Sequence, residues 1–311
     1  MKLPKVSLIS PCYNGASYVR WFLDSLLLQT YSNVEFIFVN DGSTDNTEEI
    51  FMSYKPKLEE KGWQVIYIKQ ENKGQAAALN AGLKIFTGEY LSFPDSDDIL
   101  YPEHIAKKVD FMEKNSEYAL AFCALDEVKE SNLNKVIGIQ TRTCSDNLFD
   151  DLIHRNNILW TPIGNIFRSN KFLEAIPLRT IYEGKGGQNF QMLLPMAHKF
   201  KDGYIKEALG KYVIRKSSHS RLKKTRTERN AELFDIWINT ILSLDDTNTN
   251  KAKYINESYN HLSIPPQYID FTWKISLFKF IPLIKIKKKS NKIKIYFLGI
   301  HLFTIKDIIY E

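Results

Sequence analysis

The sequence predicts an α/β chain built on a mainly parallel sheet with helices on both faces. Three observations carry this. Short apolar runs alternate with helix-spaced stretches through the first hundred residues. Strands and helices alternating at this spacing fit a sheet covered on both sides. The most unusual polar residues fall at the carboxyl ends of the apolar runs, the rim where parallel sheets hold ligands. At 311 residues, 44% apolar and 25% charged, the chain has the length and balance of a soluble protein with a substantial core.

The elements follow in order. Val6 to Ser10 is a first strand, stopped by Pro11. Tyr18, Trp21, Phe22, Leu26 and Leu27 then recur at helical spacing. Val34 to Val39 is a second strand, leading through Asn40-Asp41-Gly42-Ser43-Thr44-Asp45 into a helix containing Glu48, Ile50 and Phe51. Val65 to Ile68 is a third strand, and Gln75 to Phe86, rich in alanine and leucine, a further helix. Tyr90 to Phe93 is a fourth strand and Tyr118 to Val128 a fifth.

The fourth strand ends in Asp95-Ser96-Asp97-Asp98, three carboxylates in four residues. Carboxylates this close repel one another and resist desolvation, so a cation is one way to neutralise them. Hard oxygen ligands suit Mg²⁺ or Mn²⁺, which fill their remaining positions with phosphate oxygens and water. The other reading is a polar loop whose Asp98 caps the next helix. The first strand ends in Pro11-Cys12-Tyr13-Asn14-Gly15, the second at Asp41, and the topology gathers all three ends on one rim.

These three segments together resemble family 2 glycosyltransferases, inverting enzymes with the Rossmann-like GT-A fold. The likeness is close over roughly the first hundred residues, in order and separation. It implies that Pro11, Tyr13 and Asn14 line a nucleotide pocket, that Asp41 meets the uracil, and that Asp95 with Ser96 serves the ribose side. Asp97 would hold a Mn²⁺ or Mg²⁺ ion, with Asp98 supporting the loop. Lys73 and Gly74 would lie near the nucleotide. Taken singly, Asn14 reads equally as a helix cap, Asp41 as the start of an Asx turn and Lys73 as a solvated lysine.

Beyond Val128 the likeness loosens. Trp160-Thr161-Pro162-Ile163-Gly164-Asn165 resembles the family's acceptor-side segment. Where family members commonly carry Glu-Asp at a helix start, with the aspartate as general base, this chain has Gln188-Asn189. An amide orients a hydroxyl but does not usefully take its proton. Glu183 is the nearest carboxylate in sequence, and it reads either as a replacement base or as a solvated loop residue. Tyr212 to Arg221 resembles the family's Ser-rich loop over the diphosphate. That likeness implies roles for Arg215, Ser218 and Ser220 at phosphate oxygens and for His219 at the metal, although Arg215 is the alternative match to that histidine. Lys223, Lys224, Arg226 and Arg229 read as a solvated helix face or a donor-ordered lid. No recognition motif accompanies them, and no nucleic-acid partner is expected.

The expected organisation is a catalytic unit over 1–230, divided at 128/129 into a nucleotide-sugar half and an acceptor half, followed by an extension over 231–311. Leu233, Phe234, Ile236, Trp237 and Ile241 predict a helix packed on the body, and Asp245 to Lys253 reads as a linker. From Phe271 to Lys306 there are nine lysines and no acidic residue, against a whole-chain charge of +6, so the body is slightly acidic. Lysines among Phe271, Trp273, Leu277, Phe278 and Phe280 suit an anionic membrane surface. The alternation of Ile293, Ile295 and Phe297 also fits a small β-structure with its lysines in water. Cys12, Cys123 and Cys144 are odd in number and far apart, which indicates neither a disulfide framework nor a zinc site. No apolar run is long enough for a signal peptide or a membrane span, so the expected location is cytoplasmic, with peripheral membrane contact. The resemblance implies a UDP-sugar donor and a glycan or lipid-linked acceptor. A catalytically inactive nucleotide-sugar-binding scaffold is the alternative. A dinucleotide-dependent oxidoreductase is disfavoured, because no glycine-rich fingerprint follows the first strand.

Overall fold

A computed structural model describes residues 3–142, 147–154, 161–184, 186–215, 226–262, 284–289, 292–297 and 300–306. Strand β1 (Val6–Cys12) lies between β2 (Val34–Asp41) and the short β4 (Tyr90–Ser92), with β3 (Gln64–Gln70) outside β2, all in parallel. Period-2 alternation splits the core. Leu8, Phe36 and Phe38 pack with α1 (Val19–Leu27) and α2 (Thr47–Glu60) on one face. Ile9, Ile37 and Val39 pack with α3 (Gln75–Leu83) on the other.

Pro11 does not stop the first strand, which continues to Cys12. Beyond Leu8 the short β4 no longer accompanies β1, and a residue without an N–H is tolerated where one neighbour is missing. The helix expected to reach Phe86 ends at Leu83.

The sheet is less parallel than expected. β5 (Ile99–Leu100) leads through α4 (His104–Lys114) to β6 (Tyr118–Lys129), which forms a hairpin with β7 (Asn132–Gln140). Helix α5 (Leu148–His154), a 3-10 turn at Pro162–Gly164, β8 (Asn165–Arg168) and α6 (Ser169–Ala175) follow. β8 pairs antiparallel with both β4 and β6. After α7 (Gln188–Lys199), β9 (Lys201–Ile214) pairs parallel with β6 and antiparallel with β5. The parallel order thus belongs to the first four strands, and β8 joins them to a mixed second half.

Helix α8 (Arg226–Ser243) runs through the expected 230/231 division and buries Phe234, Ile236, Trp237 and Ile241 against the body. The polar stretch read as a linker starts α9 (Asn248–Leu262). Its polarity belongs to the first turn and the solvent face, since Asp246 accepts from Thr247 N at 2.6 Å while Ala252, Ile255 and Ser258 are buried. Strands β10 (Ile284–Lys289), β11 (Lys292–Phe297) and β12 (Ile300–Lys306) form a separate antiparallel sheet. Its register sets Lys285, Lys287, Lys289, Lys292, Lys294 and Lys306, with Tyr296, at positions of one face, and Ile284, Ile286, Ile293, Ile295, Phe297 and Ile305, with Lys288, at positions of the other. Among the described residues no helix is long and apolar enough to cross a membrane.

Candidate nucleotide and metal site

The loops after β1 and β2 are stitched to each other. Asn14, at a positive φ of 48°, accepts from Thr44 N at 2.8 Å through its side chain, and its own N–H donates to Ser43 Oγ at 3.0 Å. Gly15 N donates to Thr47 Oγ1 and Ala16 N to Asp45 Oδ2. Tyr13 between them is 40% exposed, which leaves its ring open to a stacking partner.

Asp41 is buried, and its carboxylate gathers three donors: Gln70 Nε2 at 2.7 Å, Lys73 N at 3.0 Å and Gly74 N at 2.8 Å. A carboxylate offers about four lone-pair sites, so about one remains for a ligand. A glycine directly after Asp41 has a physical reason. It sits at φ +72°, and a Cβ there would lie 2.6 Å from Asn72 N. The Lys73 side chain is exposed, and its backbone N–H is what ties residue 73 to the site.

The acidic loop closes against β1. Ser10 Oγ donates to Pro94 O and Ser96 Oγ to Pro11 O, at 2.8 and 2.9 Å. Oxygens of Asp95, Asp97 and Asp98 lie within 4.8 Å of one another. Asp95 accepts from Gln75 Nε2 at 3.0 Å, and burial with the charge of Asp97 pushes its carboxyl up to about 8. Asp98 is 1% exposed and accepts from Val213 N at 2.9 Å. Burial, then the charges of Asp97 and Asp95, raises it well above the carboxylate range. Its second oxygen, Oδ2, is buried without a hydrogen-bond partner among the described residues.

Among the described residues, one cation faces this cluster directly. Arg215, just beyond β9, sets Nε and Nη2 on Asp97 Oδ2 at 2.8 and 2.6 Å and lays its guanidinium 3.9 Å from the Tyr18 ring centre. Within the described residues, that one guanidinium leaves three adjacent carboxylates under-neutralised. That shortfall and the orphaned Asp98 oxygen fit a hard divalent cation.

The segment bearing Glu183 joins the same rim through α3. Asn80 donates from Nδ2 to Ile181 O at 2.9 Å and to Glu183 Oε1 at 3.2 Å, and accepts from Ile181 N at 2.8 Å. Gln75 and Asn80 stand five residues apart on one helix, about 7.5 Å along its axis. Glu183 is exposed, Gln188 is buried and Asn189 half-buried at the start of α7. Gly186 and Gly187 both hold positive φ before that helix, and a Cβ on Gly187 would meet Ile236 of α8 at 2.9 Å.

Pro11, Tyr13, Asn14, Asp41, Lys73, Gly74, Asp95, Ser96, Asp97 and Arg215 therefore line or brace one rim. Ser218, His219 and Ser220 lie outside the described residues, as do Trp160, Lys223 and Lys224. Sequence reasoning missed Tyr18, Trp21 and Asn80. Trp21 Nε1 donates to Asp97 O at 2.8 Å. Tyr18 and Trp21 read as apolar members of a helix stripe, and their polar handles gave no separate signal. An asparagine within an alanine-rich helix was a signal available for Asn80.

Comparison with known proteins places the sequence and the fold. The description "Glycosyl transferase family 2" matches residues 7–181, more than half of the chain. Glycosyltransferase GlyA of Streptococcus pneumoniae is 31% identical over 229 residues, covering 70% of this chain and 32% of that protein. An uncharacterized glycosyltransferase of Rickettsia prowazekii is 39% identical over 130 residues, covering 42% of this chain and 39% of its own. The chain thus spans about a third to two-fifths of these curated relatives. S. aureus TarS 1-349 in complex with UDP-GlcNAc has a TM-score of 0.64 at 20% identity, over 89% of this chain and 75% of that one. Mannosyltransferase PcManGT from Pyrobaculum calidifontis, in complex with GDP-Man and Mn²⁺, has a TM-score of 0.56 at 16% identity, over 91% and 82%. These neighbours share the fold, a GT-A sheet with flanking helices. With over half its length matched, the chain belongs to glycosyl transferase family 2.

Proposed function

We propose that the chain is an inverting transferase that moves a sugar from a UDP-sugar to a hydroxyl of a glycan or lipid-linked acceptor, in synthesis of a bacterial capsule, O-antigen or exopolysaccharide. The observation that carries this reading is the meeting of Asp41, with about one acceptor site left, and the Asp95–Asp97–Asp98 cluster on one rim. The UDP-GlcNAc held by TarS, a protein of the same fold, supports a uridine donor.

In this reading Tyr13 stacks on the base, Asp41 accepts from its ring N–H, and Pro11 and Asn14 shape the pocket. Lys73 and Gly74 close the loop over the nucleotide, and Asp95 with Ser96 braces the ribose side. Asp97 and His219 hold Mn²⁺ or Mg²⁺, which when bound supplies positive charge to the leaving diphosphate. A unit charge pair about 4 Å apart, at an effective dielectric near 20, is worth roughly 4 kcal/mol. Arg215, Ser218 and Ser220 donate to phosphate oxygens.

The acceptor oxygen attacks the anomeric carbon in line while the bond from that carbon to the diphosphate oxygen breaks. Glu183 takes the hydroxyl proton, and Gln188 and Asn189 orient the acceptor through their amides. Holding both substrates in line supplies much of the rate. The 1–230 unit carries this chemistry, split at 128/129 between donor and acceptor, and the basic β10–β12 sheet of 231–311 meets an anionic membrane on the cytoplasmic side.

A second reading, a nucleotide-sugar-binding scaffold without turnover, is favoured by one feature: Gln188 and Asn189 stand where family members carry acids. A transfer assay on Glu183→Gln, run beside UDP calorimetry, separates the two. Turnover in the wild type, lost in the variant with UDP binding retained, supports the transferase. UDP binding without turnover across sugar donors and acceptors supports the scaffold.

A further inference from the structure

We propose that Arg215 is a built-in competitor for the cation site. It occupies Asp97 while the donor is absent and transfers to the donor's diphosphate when a divalent cation takes Asp97. This deepens the donor reading above and rests on it.

Arg215 directs both Nε and Nη2 at Asp97 Oδ2, at 2.8 and 2.6 Å, so the carboxylate that a metal would need already carries two charge-assisted hydrogen bonds on one of its oxygens. A guanidinium on one oxygen of a carboxylate and a divalent cation on the other stand close enough to repel, so each occupancy weakens the other. Asp98 Oδ2 has no such donor, which leaves the cluster one anchored and one orphaned oxygen. The resting position of Arg215 is a built one. Its side chain is 11% exposed, and its guanidinium lies 3.9 Å from the centre of the Tyr18 ring, whose hydroxyl donates to Tyr13 O at 3.2 Å.

The backbone below it is tied to the same loop, since Val213 N donates to Asp98 Oδ1 at 2.9 Å. Exchange therefore needs a swing of the Arg215 side chain and no movement of β9. A diphosphate offers planar pairs of oxygens that a guanidinium fork grips well, so donor binding gives Arg215 a new partner and frees Asp97 together. Two consequences follow by linkage. The nucleotide-free protein holds its metal weakly, and nucleotide and metal strengthen each other by the same factor.

The test is Mn²⁺ titration of the full chain followed by electron paramagnetic resonance, with and without UDP, for the wild type, Arg215→Gln and Arg215→Lys. Melting temperatures establish that each variant is folded. Arg215→Gln is expected to bind Mn²⁺ about tenfold more tightly than the wild type when UDP is absent. The factor by which UDP strengthens Mn²⁺ binding should shrink in the same variant. Arg215→Lys keeps a charge without the fork and should change both quantities in the same direction by less; it carries the test if the glutamine variant does not fold. Equal or weaker Mn²⁺ binding in the variants, with UDP binding intact in the wild type, overturns the exchange and leaves the donor reading standing. Absence of both Mn²⁺ and UDP binding in the wild type overturns both.

Discussion

The two sides of the rim are built differently. On the donor side, the loops after β1, β2 and β4 are fixed by several short bonds each. Asn14, Asp41 and Asp45 accept from backbone N–H groups of neighbouring loops, and Ser10 and Ser96 lock the acidic turn onto β1. On the proposed acceptor side, two amide side chains grip Ile181, Tyr182 and Glu183. Asn80 grips Ile181 and Glu183, and Gln191 exchanges hydrogen bonds with the Tyr182 backbone at 2.6 and 3.0 Å. Both sides rest on side-chain-to-backbone bonds, but the first spreads them over several residues of three loops, whereas the bonds described on the second converge on two amides. A fold built this way can keep one donor chemistry while its acceptor side diverges.

The comparison can be broken in order of expected effect. Asp97→Asn removes the charge facing Arg215 and should lower metal-dependent turnover about 10²- to 10³-fold in a transfer assay. Near-normal activity would remove Asp97 from the site. Glu183→Gln should lower turnover about 100-fold and leave the affinity for UDP unchanged; a fall in UDP affinity would mean that the two sides are not separable. Asp41→Ala leaves three donors without their charged acceptor and is expected to cost about 2–4 kcal/mol in denaturant unfolding, together with most of the UDP affinity.

Asp98→Asn is the smallest effect and has the opposite sign. It replaces a buried, under-neutralised carboxylate with a neutral group that still accepts from Val213 N. The metal-free protein should gain about 1 kcal/mol of stability while its metal affinity falls. The same strain gives a pH signature. Asp95 is held up to about 8 by burial and by Asp97, while the unfolded chain titrates near 4. A carboxyl whose folded value is the higher one binds more protons folded than unfolded, so stability falls as pH rises from about 4 to about 8. The melting temperature of the metal-free protein should decline across that window, and Mn²⁺ with UDP should flatten the decline.

This contrast also decides what the sequence revealed. The proposed donor side stood out because its residues sit at strand ends in contiguous motifs: Asp41-Gly42-Ser43 needs a glycine at φ +72°, and three carboxylates in four residues after a buried strand read either as a cation site or as a capping loop. Asn80 stood out only as a polar residue in an alanine-rich helix; its partners were not legible, because its contacts with Ile181 and Glu183 span about a hundred residues of chain. Arg215 was visible as a phosphate ligand or as the match to the family's metal-site histidine; its pairing with Asp97 depends on β9 lying beside β5, a long-range antiparallel contact. The mixed second half escaped for the same reason, since β8 is four residues long and takes its direction from β4 and β6. The linker expected at Asp245 to Lys253 failed because polar composition on the solvent face of α9 hid the buried face of Ala252 and Ile255.

The central claim is that this rim holds a uridine diphosphate through Asp97 and a divalent cation. Calorimetric titration of the purified chain with UDP, with and without Mn²⁺, beside Asp97→Asn and a GDP control, tests it most directly. The account predicts tight UDP binding that requires both Mn²⁺ and Asp97 and is not matched by GDP. Failure of both nucleotides to bind under any metal condition would contradict it.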